Sequence, residues 1–576
     1  MRWNLKKFAI LAAALLVPAC AKKHSGSPPP PAGVSVVVSP GSASVVVGTV
    51  QAFSAAVSGT SNTDVIWSVN GIPGGNDAVG TIEPTIAGAQ YFPRVVPSPD
   101  PVTVTATSQA DPSASGASTV TVEYPNDTAS AQALPVQLGT SGGNATDITT
   151  GSTLTTCCSG TLGCLVRRDG AFFILSANHV LDKSGQGAAG DPVVQPGLVD
   201  THCTVGTRVA NLFQAAPVQT SNVDAALAQI VSGAVDTSGA ILDLGPAGPT
   251  TISPAPPSST LADPSAVLSG GGRVAKSGRS TGLTCASLLS INTDVSVDYS
   301  NSCNGPAAFT VIFHNQLLVD GGAFSEAGDS GSLIVTSDAA RPLGLLYAGN
   351  SSGTVANPIA DVLLALPNAA TGDLPVIVGS ADHPVSCAAV APVASSKTPS
   401  AAATSPSPLE LTRTTAAKEK LGARLLADPA VARLGLGASG DNPEEGAILV
   451  YLRGTPRAPL PHQLGGVRTR ILRLEEAGRA PREAPDLESL RLAAEVKERH
   501  SAEFFGKRGV IGLGVGKSED AEGEPALVLY VEQSAGFSGL DIEIEGVRTR
   551  ILEGDRFRTF GWGKARTPGA SCCGNH

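Results

Sequence analysis

The chain has 576 residues, only 15% of them charged, with a net charge of −10 and a pI near 5.4. That length predicts roughly three or four domains rather than one, and the acidic balance argues against a broad nucleic-acid surface. Gly and Ala are abundant and aromatics make up 4%, the mixture that turn-rich, small-residue β domains give, so the expectation is a mainly β, multidomain protein.

The first residues read as a targeting segment. Arg2, Lys6 and Lys7 precede an apolar run, Phe8 to Val17, that is too short to span a bilayer permanently. Val17-Pro18-Ala19-Cys20 resembles a bacterial lipobox. The resemblance implies a signal peptide at 1–19, cleavage before Cys20 and lipidation of that cysteine. Ala21 follows the cysteine rather than Asp, which by analogy with Gram-negative lipoproteins points to the outer membrane, on its periplasmic or surface face. Ala19-Cys20-Ala21 also fits ordinary secretory cleavage, which would release the protein. Residues 20–33, with consecutive prolines at Pro28 to Pro31, predict an extended tether.

Residues 34–124 carry short β-type runs separated by turn signals. Val34 to Val38, Ala43 to Val47, Gln51 to Val57, Val65 to Val69, Val102 to Thr107 and Ser118 to Val122 predict a β-sandwich. The Trp67 strand and the Val102-Thr103-Val104-Thr105 strand resemble bacterial Ig-like domains, a likeness that implies a fold and no ligand. A polar connector is expected at 125–150.

The most informative stretch lies further on. Gly328-Asp329-Ser330-Gly331-Ser332 precedes the apolar run Leu333-Ile334-Val335. His179 ends another apolar run, Ile174 to Leu181, and Asp224 enters a third, Ala225 to Ala228. A serine hydroxyl is a weak nucleophile that needs an adjacent base. Histidine titrates near neutrality, and a carboxylate on its other nitrogen fixes the tautomer. His179 is therefore the expected base, Asp224 the orienting acid and Ser330 the nucleophile. Gly328 permits a tight turn that aims the N–H groups of Gly328 and Ser330 at a developing oxyanion. Competitors in range are Asp191, Asp200 and Asp243 for the acid, His202 and His314 for the base, and Ser332 for the nucleophile. Asp329, beside the serine, is expected to make a structural ion pair or turn hydrogen bond.

Several segments repeat a family order around this set: Ser159 to Val166, Gly190 to Gly197, Lys276-Ser277-Gly278-Arg279-Ser280-Thr281-Gly282, Phe324 to Leu333, and Pro342 to Gly349 before Ala356-Asn357-Pro358-Ile359. Together they resemble the bacterial trypsin-like serine peptidases related to the plant narrow-leaf protease. The resemblance covers about 157–366. It implies a chymotrypsin-like double β-barrel at 151–367, with the site between the barrels, a protein or peptide substrate and no cofactor. It also implies that Phe324, six residues before the serine, reads the substrate side chain without a strong Lys or Arg preference. Tyr347, Ala348 and Gly349 would pair with substrate backbone. The Lys276–Thr284 segment is expected to shape a barrel turn rather than bind phosphate. The alternatives are a catalytically silent peptidase-fold binding protein and a serine esterase.

Export permits disulfides. Besides Cys20 and the late Cys387, Cys572 and Cys573, the cysteines are Cys157, Cys158, Cys164, Cys203, Cys285 and Cys303. Their pairing is not readable from spacing. Cys285 and Cys303 bracket an alternating stretch and offer one hairpin staple.

Residues 368–410 are rich in Ala, Pro, Ser and Thr and predict a linker. Residues 411–567 become charge-dense and contain an internal repeat, followed by a tail at 568–576. Gly435-Leu436-Gly437, Ala447 to Leu452 and Gly466-Val467-Arg468-Thr469-Arg470-Ile471-Leu472 recur as Gly512-Leu513-Gly514, Ala526 to Val531 and Gly546-Val547-Arg548-Thr549-Arg550-Ile551-Leu552. With helical patterns at about 413–427 and 485–504, each copy reads helix, strand, strand, and the expectation is a pseudo-symmetric α+β tandem repeat. The paired arginines are expected at solvated strand ends. A module joined to a catalytic domain by a linker invites a regulatory role.

Overall fold

The computed structural model describes residues 33–387 and 406–559, apart from 47–49, 86–87, 94–96, 98–100, 124–126, 151–154, 247–251, 304, 321–323, 475–483 and 538. The signal peptide, Cys20, most of the tether, residues 388–405 of the linker and the tail lie outside the described residues. The architecture is mainly β and multidomain, with barrel-like sheets at its centre.

Residues 35–123 form two five-stranded sheets. Alternating valines set the faces: in Ser35–Ser39 the pattern is exposed, buried, exposed, buried, exposed. Trp67, Tyr91, Val104 and Val120 fill the space between the sheets.

The first barrel sheet has eight strands and includes Thr140–Asn144, Pro192–Gln195, Thr207–Ala215, Ala226–Ile230, Ala171–Ser176 and Cys164–Arg168. Its tightest hairpin follows from Asp169-Gly170. Both residues have positive φ, +51° and +78°, as a two-residue turn between right-twisted strands requires. The expected connector at 125–150 thus contributes a strand to this sheet. The expected linker also begins later than position 368. Val376–Ile377 pairs with Cys164–Arg168, and Cys387 is bonded to Cys285. Ile377, buried in the core, and Val378, packed against it, explain why this stretch packs although its neighbours are polar.

The second barrel closes on itself. In order, Arg273–Gly278, Leu333–Thr336, Pro342–Gly349, Gly353–Pro358, Phe309–Asp320 and Gly282–Tyr299 are neighbours, and the last pairs again with the first. Gly282–Tyr299 is long enough to do more. Beyond the barrel it pairs with Val510–Lys517, so the second copy of the C-terminal repeat continues the barrel's own sheet. One core contains Leu288, Ile291 and Leu317 of the barrel together with Leu490, Val496, Phe504, Leu513 and Leu529 of that copy.

The two C-terminal copies form sheets with the same order of strands. One runs Val431–Ala438, Gly446–Leu452, Val467–Arg473, Gln463–Leu464; the other runs Val510–Lys517, Pro525–Glu532, Val547–Gly554, Glu543–Ile544. The helices Pro408–Leu426 and Leu487–Phe505 precede them, capped by Ser407 and Asp486. The copies exchange equivalent bonds. Arg468 donates to the Thr549 carbonyl at 2.8 Å and Arg548 to the Thr469 carbonyl at 3.1 Å. Ser439 donates to Asp520 and Ser518 to Asp441. Both Arg468 and Arg548 are fully buried, which corrects the expectation of solvated strand ends. Each guanidinium also meets a carboxylate, Glu445 or Glu524, at 2.7 Å, so burial leaves neither charge uncompensated.

The cysteines pair as Cys157–Cys203, Cys158–Cys303 and Cys285–Cys387. The hairpin staple Cys285–Cys303 is thereby corrected: each bonds a residue far away in sequence, which spacing does not reveal. Cys164 is a buried free thiol whose pKa burial pushes up to about 12.

Candidate active site

Register brings His179 and Asp224 together. Ala171–Ser176 and Ala226–Ile230 are antiparallel, with Ser176 opposite Ala226. The residues just past one end and just before the other are therefore neighbours. His179 rides on the short helix Asn178–Leu181, anchored where Asn178 donates to the Ala216 carbonyl at 2.8 Å. His179 Nδ1 lies 2.8 Å from Asp224 Oδ2, and the His179 backbone N–H donates to Asp224 Oδ1 at 3.2 Å. Both side chains are fully buried.

Three residues to which the sequence assigns no role complete the support of Asp224. The Tyr299 hydroxyl donates to Asp224 Oδ2 at 2.7 Å. Burial first, and then the Asp224 charge, hold that phenol well above its ordinary pKa, so it stays protonated and donates to the carboxylate. The Asp224 backbone N–H donates to Asn357 Oδ1 at 2.9 Å, and Asn357 Nδ2 donates to Gln316 at 2.7 Å. Tyr299, Asn357 and Gln316 all come from the second barrel, so the pair in the first barrel is oriented from across the interface. Asn357 lies in one of the segments of the family order but carries no role there, and no local motif marks Tyr299 or Gln316; the folded register of the second barrel brings all three to Asp224.

Ser330 stands on a turn whose shape glycine makes possible. Gly328 and Gly331 have φ of +105° and +95°, conformations that an L side chain rarely adopts. A Cβ on Gly331 would also lie 2.1 Å from Ser176 Oγ and 2.4 Å from the Thr161 carbonyl oxygen. The serine turn is thus pressed against the strand that leads into His179. Two bonds fix it there: Thr161 N–H to the Ser330 carbonyl at 2.8 Å, and Thr161 Oγ1 to the Gly328 carbonyl at 2.9 Å.

Asp329 has the structural role expected of it. It accepts from Ser280 N–H, Thr281 Oγ1 and Glu326 N–H at 2.7–2.9 Å, and lies 3.5 Å from the buried ammonium of Lys276. The Lys276–Thr284 segment is a barrel hairpin, as expected, and Lys276 serves the serine turn from inside it. Four of the six competing residues are engaged elsewhere. Asp200 pairs with Arg279 at 2.7 Å, Asp191 accepts from Asn144 at 3.0 Å, and Ser332 Oγ donates to the Asp329 carbonyl at 2.6 Å. His314 lies 3.0 Å from Asp294.

The residues expected to meet substrate are placed differently. Phe324 is buried in the core with Leu288, Leu317 and Ile334, with Lys276 Nζ 5.7 Å from its ring centroid. Its carbonyl accepts from Thr284 Oγ1 at 2.6 Å, so ring and backbone are both held inward. That corrects its assignment as a side-chain reader. Tyr347 and Ala348 are likewise fully buried, and the Tyr347 ring packs on Phe313 with centroids 5.0 Å apart. Their strand still borders the serine: Ser330 Oγ is 3.4 Å from the Tyr347 carbonyl oxygen. Gly349 pairs antiparallel with Arg558, a residue of the chain's own C-terminal segment.

Among solved structures, the chain is similar to a glutamic acid specific serine protease, with 18% identity over 42% of this chain and 99% of that one and a TM-score of 0.27. It is similar to Thermobifida fusca Protease A at 18% identity, covering 41% and 98%, with a TM-score of 0.25. An alpha-lytic protease homolog, N4, matches at 20% identity, covering 38% and 92%, also at 0.25. No family model matches the chain, and no curated protein does.

Proposed function

We propose that the chain is an exported serine endopeptidase acting through His179, Asp224 and Ser330. The observation that carries this reading is the 2.8 Å contact of His179 Nδ1 with a buried Asp224. That contact reserves the other imidazole nitrogen, Nε2, to accept a proton.

In this mechanism Ser330 Oγ attacks the carbonyl carbon of the scissile peptide bond as His179 takes its proton. Asp224 holds the imidazole and stabilises the imidazolium that forms. The N–H groups of Gly328 and Ser330 receive the oxyanion; a donor of this kind contributes about 10²–10³ in rate. His179 then returns the proton to the leaving amine, and water admitted to the acyl-enzyme is activated in the same way. Tyr299 holds the carboxylate against rotation, and the Asn357–Gln316 pair holds the Asp224 backbone. Lys276 and Asp329 keep the serine turn closed.

The lipobox-like Val17-Pro18-Ala19-Cys20 supports a lipid-tethered protein of the cell envelope, with the 34–124 domain as a spacer. Among the described residues no helix is long and apolar enough to cross a membrane. The same acyl chemistry would turn over esters.

The test is digestion of a mixed peptide library by the full chain and by Ser330→Ala. New peptide termini made by the first and absent with the second support the reading. Ester turnover without peptide cleavage would favour an esterase, and neither would favour a binding protein.

A further inference from the structure

The last described residues run across the serine. Asp555 Oδ1 accepts from the backbone N–H of Ser351 at 2.9 Å and from its hydroxyl at 2.6 Å, and the Asp555 carbonyl accepts from Asn350 Nδ2 at 2.7 Å. Arg556 pairs with Asp298 at 2.9 Å. Phe557 is fully buried against Tyr530, with centroids 5.8 Å apart. Phe557–Arg558 runs parallel to the end of Gly282–Tyr299, and Arg558 pairs antiparallel with Gly349. Thr559 N–H donates to the Asp298 carbonyl at 3.3 Å, and its own carbonyl oxygen lies 3.5 Å from Ser330 Oγ. Ser330 is 1% exposed.

An extended segment that hydrogen-bonds a free strand edge is how a peptide is commonly recognised. Here the edge is the one bordering the nucleophile. We propose that the chain's own strand Asp555–Thr559 fills the peptide-binding edge of the active site, so that Ser330 is masked until this strand is displaced. The proposal rests on reading Ser330 as the nucleophile and Tyr347–Gly349, the end of its strand that runs past Leu333–Thr336, as the substrate edge. The second C-terminal copy thereby acquires a role, because its sheet is continuous with the barrel and delivers the strand to the site. Phe557 is the anchor, the Arg556–Asp298 and Asp555–Ser351 contacts set the register, and Thr559 lies over the serine. A substrate competes with this strand for the same edge, so a long or tightly pairing peptide is favoured over a short one.

The test compares the full chain with Arg558→Pro, which removes a strand N–H at an exposed position, and with a second variant, Asp555→Ala plus Arg556→Ala, which cuts the two register contacts. Melting curves confirm that each is folded. Two readouts are taken: amide hydrogen exchange of residues 347–351 and 555–559, and the rate of fluorophosphonate labelling at Ser330. The proposal expects faster exchange in both segments and labelling accelerated by about tenfold or more, as when a competent state rises from a minor to the major population. Unchanged exchange and unchanged labelling in both folded variants would overturn it. Faster exchange with an unchanged, measurable labelling rate would overturn the masking while leaving Ser330 as the nucleophile. Faster exchange with no labelling of any chain would reject Ser330 as the nucleophile, and the masking with it.

Discussion

Tyr299 donates its hydroxyl to the same Asp224 oxygen that meets His179 Nδ1, at 2.7 Å against 2.8 Å. Asp224 is thus shared between the two barrels. Tyr299→Phe keeps the ring that stacks on Phe309 and removes only the donor. A hydrogen bond to a buried charge is worth about 1.5–3 kcal/mol, so kcat/KM should fall by roughly one to two orders of magnitude. The check is kcat/KM together with its pH profile. A purely packing role would leave both unchanged, since the ring remains.

The buried arginines join the two C-terminal copies. Arg468→Leu leaves Glu445 and the Thr549 carbonyl without their donor, and breaking such a buried pair typically costs about 3–5 kcal/mol. Arg473, about half exposed, faces Glu522 at 3.9 Å, so Arg473→Ala should change stability by less than about 1 kcal/mol. Denaturant unfolding of the two variants gives the contrast. Equal effects would mean that the reciprocal bonds do not join the copies.

The disulfide Cys285–Cys387 closes a loop of 102 residues and ties the stretch after Val376 to the second barrel. Replacing both cysteines with serine should lower stability by about 2–5 kcal/mol. It should also expose residues 376–387 to limited proteolysis. Mass mapping of the first cleavage site checks it.

Acid should favour one contact between the copies. Burial, and then the nearby Asp520 charge, push Asp441 up to about 6. Its folded pKa lies above the unfolded value, so the protonated form is favoured by folding. That contribution is fully present below about pH 4 and is lost as pH rises through 6. Asp441→Asn should therefore flatten the pH dependence of stability between about pH 4 and 7. Unfolding curves of wild type and variant at several pH values measure this.

His179, Asp224 and Ser330 stand out as candidates in the sequence because each adjoins a strand with a strong local signature, and Gly328 and Gly331 are required by their positive φ. What escapes is set by distant partners. Tyr299 looks like any strand aromatic until the second barrel closes beside Asp224. Cys285 looks paired with Cys303 until each meets a distant cysteine. Arg468 and Arg548 look like surface charge until two copies face each other and bury them. Analogy puts Phe324 in a pocket, whereas its ring joins the core beside Lys276. The approach of Thr559 to Ser330 joins residues 229 apart, and no periodicity signals it.

The central claim is that His179, held by Asp224, activates Ser330. The most direct measurement is intact-mass and peptide-level mapping of fluorophosphonate adducts on Arg558→Pro, alone and combined with His179→Ala. The account predicts a single adduct on Ser330 in the first chain and its loss in the second. An adduct that forms equally well without His179, or a folded Arg558→Pro chain with no adduct on Ser330, would contradict it.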